Sequence, residues 1–152
     1  MNEEQRPGGL TALAVINFVF SGWGLLGLLG MVAVFAFIGQ IPTDEMDETK
    51  RAQLEAFQNM GVSTLVMIVA LSILSNILLL VSGIGYLKQK KIMGRMVGNA
   101  YAIFGIVSSI ASGLMFGAEM GGGFNIGTMI GLIYPVVTLI LLNTTFVDDF
   151  TN

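Results

Sequence analysis

Cysteine and histidine are both absent from the 152 residues of this chain. Without cysteine there is no disulfide framework, no thiolate nucleophile, no haem-attachment motif and no lipidated cysteine. Without histidine there is no imidazole base and no zinc site of the usual kind. Charge is scarce too. Asp, Glu, Lys and Arg together make up 11% of the chain, against about 25% in a soluble domain. The positions of that charge matter more than its amount. No charged residue occurs from Pro7 to Thr43, Ala56 to Leu87, Met96 to Ala118 or Met120 to Val147.

What fills these stretches is apolar. Hydrophobic residues reach 54% and the mean hydropathy is +0.80. A bilayer core about 30 Å thick needs roughly 20 apolar residues in a helix, and each stretch can supply them. The pattern predicts an all-α membrane protein with four transmembrane helices in a compact bundle, a single domain over residues 1–152. The spans are expected over 10–38, 62–87, 93–117 and 125–147. The first would be roughly 43 Å long at 1.5 Å per residue, so it tilts or projects from the membrane. Gly39, Gln40 and Pro42 end it. The leader before it is not clearly positive, and its apolar run exceeds the roughly 7–15 residues of a signal sequence, so it reads as a retained span. Gly121, Gly122 and Gly123 make the last connection flexible, and Pro135 should kink the fourth span.

Orientation follows from the bases. Lys88, Lys90, Lys91 and Arg95 lie between the second and third spans, whereas Lys50 and Arg51 between the first two are outweighed by Asp44, Glu45, Asp47, Glu48 and Glu55. The basic hairpin and both termini are therefore expected in the cytoplasm. The acidic connection over 43–60 faces outward. Thr43 with the acids after it resembles a helix start, and Met46, Leu54, Phe57 and Met60 give a thin apolar face. That segment is either a solvated extension of the second span or an amphipathic helix that lies on the membrane or docks a partner.

No span contains an ionisable side chain other than tyrosine. Proton-coupled transport, voltage sensing, charge-selective pores and intramembrane proteolysis all draw on buried acids, bases or metal ligands. The expectation is a non-enzymatic protein with no cofactor. Neutral polar residues do occur in the spans. Asn17, Ser82, Asn99 and Asn143 fall toward the cytoplasmic side, and Ser21, Asn76, Ser108, Ser109 and Thr138 nearer the middle. Two polar layers, each drawing on all four helices, are predicted. Such layers either hydrogen-bond helices together, at about 0.6 kcal/mol per contact, or line a path for a small neutral solute.

Small residues recur at packing intervals: Gly94, Gly98 and Ala102; Gly113, Gly117 and Gly121; Gly123, Gly127 and Gly131; and Gly24, Gly27 and Gly30 on the first span. Spacing of this kind lets helix backbones approach closely. The hairpin bases Lys88, Lys90, Lys91 and Arg95 set topology and are also candidates for contact with anionic lipid, each worth about 1 kcal/mol. Four bases without interleaved aromatics do not suit nucleic acid. Tyr86 falls near the interface; Tyr101 and Tyr134 lie deeper, where their hydroxyls need partners. The outline resembles small bacterial membrane proteins, a likeness of architecture that carries no function. The expected role is a subunit, scaffold or accessory factor of a complex in a bacterial cytoplasmic membrane, partnered by lipid and by another membrane protein or a second copy. The alternative is a small transporter or channel for a neutral or lipid-like solute.

Overall fold

The computed structural model describes residues 7–37, 46–59, 61–116 and 126–151, apart from the surroundings of residues 53, 56, 57, 112–116, 126–128 and 130 inside helices. Every described element is helical: α1 Gly8–Phe37, α2 Glu48–Gln58, α3 Val62–Leu87, a π-helical segment Lys91–Met96, α4 Val97–Phe116 and α5 Ile126–Asn143. Two of them, α1 and α3, are long and apolar enough to cross a membrane. The chain divides into two compact units: Met1–Ser21 with Ser75–Asn152, and Gly22–Leu74.

The first unit has a defined core. On α1, Leu10, Leu13, Ala14, Asn17 and Ser21 are buried, a spacing that puts them on one helical face. On α3, Asn76, Leu79, Ser82, Gly83 and Tyr86 form the matching buried face. Leu10, Leu13, Ala14, Tyr86 and Leu142 pack with Phe146 and Phe150 from the chain beyond α5. Helices α4 and α5 run antiparallel in close contact. A Cβ at Gly98 would meet Leu142, one at Gly105 would lie 3.0 Å from Pro135 Cγ, and one at Gly131 would lie 3.5 Å from Ser109 Oγ. Pro135 lies inside α5, where its ring displaces a backbone hydrogen bond. The bare Gly105 gives that ring its place.

Helix α3 stops in a Schellman motif. Lys90 N–H bonds the Gly85 carbonyl at 3.0 Å and Gln89 N–H the Tyr86 carbonyl at 3.3 Å. Gln89 takes φ 50°, a left-handed conformation usually given to glycine. The chain then reverses so tightly that a Cβ on Gly85 would fall onto the Gly94 nitrogen and the Met93 carbonyl. The helix expected over 93–117 therefore opens two residues earlier, in the π-helical segment that sets Gly94 against Gly85.

The helix expected to reach 147 ends at Asn143. Asn143 Nδ2 donates to the Leu139 carbonyl at 2.7 Å and Thr144 Oγ1 to the Ile140 carbonyl at 2.8 Å, side-chain bonds that compete with the backbone ladder. Phe146 N–H reaches back five residues to Leu141, which widens the turn and brings Phe146 into the core.

The second unit comprises the remainder of α1, the whole of α2 and the start of α3. Among its described residues only Leu54 is buried. Helix α2 is capped by Asp47, whose Oδ1 accepts the Lys50 N–H at 2.9 Å, so this helix begins at Glu48. The start expected at Thr43 lies outside the described residues, as do Met60 and the surroundings of Phe57 from the proposed apolar face.

Candidate functional site: a buried polar cluster and a basic turn

Asn17 is the hub of the first unit. It is fully buried, and an amide in that position costs several kcal/mol unless bonded. Its Nδ2 donates to Ser82 Oγ at 2.8 Å and to the Leu79 carbonyl at 3.3 Å. Ser82 Oγ itself donates to the Leu79 carbonyl at 3.1 Å. From α5, Tyr134 O–H donates to Asn17 Oδ1 and lies 3.5 Å from the Leu13 carbonyl. One side chain thus ties α1 to α3 and α5. Phe20 meets the Tyr134 ring edge-on at 4.8 Å, and Tyr101 of α4 lies 6.3 Å from it.

More hydroxyls surround this hub. Thr138 lies beside Tyr134, and the Tyr86 hydroxyl lies beside Ser82 and Asn17, none of these pairs in hydrogen-bonding geometry. Ser21, one turn beyond Asn17 on the same face, is also buried, with no hydrogen-bond partner for its Oγ among the described residues. Asn76 is buried on the α3 face that carries Leu79 and Ser82. Ser108 is half-buried on α4.

The predicted layer over Asn17, Ser82, Asn99 and Asn143 does not form as one. Asn99 and Asn143 pair with each other, Asn143 Nδ2 to Asn99 Oδ1 at 2.8 Å and Asn99 Nδ2 to Asn143 Oδ1 at 3.2 Å. Asn143 ends α5 and is exposed, and it meets Asn99 near the start of α4, just after the π-helical segment. Ser82 and Tyr134 bond Asn17 directly. A tyrosine deep in an apolar helix was the available signal, because its hydroxyl must find an acceptor.

The basic turn is held by the chain's own tail. Thr151 N–H donates to the Gln89 carbonyl at 2.7 Å and Lys91 N–H to the Thr151 carbonyl at 2.8 Å. Gln89 Nε2 donates to the Asp149 carbonyl at 3.3 Å. Phe150 is buried against Tyr86, and a Cβ on Gly94 would strike its ring. Lys88, Lys90 and Lys91 stay exposed, while Arg95 is half-buried and bonds Asn143 Oδ1 at 3.3 Å.

Of the small-residue stripes, Gly94, Gly98 and Ala102 face neighbouring elements, with Ala102 fully buried. Gly27 and Gly30 face open space. The surroundings of Gly113, Gly117, Gly121, Gly123 and Gly127 lie outside the described residues. Chemically, the cluster offers amides and hydroxyls, which bond helices or neutral polar groups. Among the described residues no three His, Cys, Asp or Glu side chains gather to hold a metal. No family model matches the chain, and comparison with curated proteins and with solved structures likewise finds no match.

Proposed function

We propose that this chain is an integral membrane protein whose four long apolar segments cross a bacterial cytoplasmic membrane, with both termini and the basic turn on the cytoplasmic side. It acts without catalysis, as a subunit, scaffold or accessory factor of a membrane complex. The observation that supports this reading is the use made of Asn17. Its bonds go to Ser82, Leu79 and Tyr134 on two other helices, as expected of polar residues that fix helix register in lipid. Gly27 and Gly30, which no described residue covers, and the exposed Leu26 and Leu29 beside them leave α1 a surface for lipid or for a second membrane helix. Extraction in mild detergent, co-purification and mass spectrometry test the role. A stoichiometric partner or self-association is expected, and a solitary monomer would overturn it. Because the chain has no cysteine, single cysteines report topology. Gln53→Cys should react with an impermeant maleimide in intact cells and Gln89→Cys should not.

A second reading, passage of a small neutral solute, draws on the buried hydroxyls of Ser21, Tyr86 and Thr138, which have no hydrogen-bond partner among the described residues. Thr138→Val separates the two. A helix-packing role predicts a small change in melting temperature, whereas a solute path predicts loss of flux at unchanged stability.

A further inference from the structure

At the basic-turn end of α4 and α5, three polar side chains bond one another on the outside of the fold. Arg95 Nη2 and Asn99 Nδ2 both donate to Asn143 Oδ1, at 3.3 and 3.2 Å. Asn143 Nδ2 spends its two hydrogens on Asn99 Oδ1 at 2.8 Å and on the Leu139 carbonyl at 2.7 Å. What is left over is almost entirely donors. A guanidinium has five N–H groups, and among the described residues only one bond from Arg95 is made. Asn99 keeps one amide hydrogen. The trio therefore presents a positive charge and several N–H groups to whatever lies outside, and its complement is an anionic oxygen group. An amide partner does not neutralise a guanidinium, and no carboxylate among the described residues lies within ion-pair distance of Arg95, Lys88 or Lys91. Lys91 stands one π-helical turn before Arg95, exposed.

The trio also borders an apolar surface. Met96 at the end of the π-helical segment and Ile103 and Val107 on α4 are exposed, and on α5, Val136 and Ile140 are exposed on the approach to Asn143. A free anion would make no use of that surface. We propose that Arg95, Asn99 and Asn143, with Lys91 beside them, bind the phosphate of an anionic phospholipid whose acyl chains lie along α4 and α5. The planar guanidinium fork suits a phosphate's paired oxygens, and the position at helix ends suits headgroup depth. The proposal rests on the reading of the chain as membrane-embedded.

The test uses the full-length protein in neutral detergent, titrated with phosphatidylglycerol, phosphatidylcholine or inorganic phosphate while its melting temperature is followed. Phosphatidylglycerol should raise the melting temperature, and the other two should do little. Arg95→Gln should weaken the apparent affinity for phosphatidylglycerol about tenfold. Lys91→Gln, whose side chain is exposed and makes no hydrogen bond or ion pair among the described residues, should weaken it about fivefold without changing the lipid-free melting temperature. If Arg95→Gln does not fold, Lys91→Gln carries the test alone. Equal stabilisation by the two lipids, or unchanged affinity in the variants that fold, would overturn the proposal. Inorganic phosphate matching phosphatidylglycerol would also overturn it, by assigning the site to a free anion. Failure of the membrane reading is seen separately, as a chain that partitions into water without detergent.

Discussion

The two parts of α1 are built from the same kinds of residue and meet opposite surroundings. From Gly8 to Ser21 the helix buries Leu10, Leu13, Ala14, Asn17 and Ser21 along one face. From Gly22 to Phe37 no residue is buried, Trp23 is 75% exposed, and a Cβ on Gly22, Gly27 or Gly30 would meet nothing within 4 Å. Hydrophobicity does not distinguish them, because both parts are predominantly apolar. Two other things do. The buried part carries an amide that must be bonded, and α3 offers it close approach: a Cβ on Gly83 would stand 3.3 Å from Asn17 Cβ and 3.0 Å from Phe18 Cε1. The bare part has glycines too, but no buried polar group beside them.

The sharpest way to break this contrast is at the tightest contact of the packed unit. Gly85→Ala would drive a methyl into the backbone at Met93 and Gly94, where nothing can rotate aside. It should cost about 3 kcal/mol, at the upper end of overpacking penalties, seen as a large fall in melting temperature in detergent. A wild-type melt would mean that the α3–α4 turn opens freely.

Next in size is Asn17→Leu. Average polar contacts between membrane helices are worth only about 0.6 kcal/mol. Here, however, the change also removes the acceptor of the Tyr134 hydroxyl and the donor to Ser82 Oγ, so a loss of about 2 kcal/mol is expected. A loss no larger than that of a lone contact would reduce Asn17 to an ordinary packing residue. The smallest effect, and the one of opposite sign, belongs to the bare part. Gly27→Ala has open space around it and should stabilise α1 by up to about 1 kcal/mol through helix propensity alone. A fall in stability, or loss of a cross-linked oligomer, would show that another helix covers Gly27 in the assembled protein.

The sequence by itself determined the helical elements and most of their limits. Charge-free apolar runs placed α1 and α3 within a residue or two of Gly8–Phe37 and Val62–Leu87, since in such runs nothing competes with the helical hydrogen bonds. It also identified which groups would need partners, Asn17 and Tyr134 among them. Tertiary structure alone decided who those partners are. It paired Asn99 with Asn143 and left both out of the Asn17 cluster, because Asn143 and Thr144 cap α5 through side-chain bonds that hydropathy cannot register. It also made the Gly94 and Gly98 stripe a contact and the Gly27 and Gly30 stripe a bare surface. Spacing is the same in both. What differs is whether another backbone or a buried polar group lies within reach, and that is settled only when the helices come together.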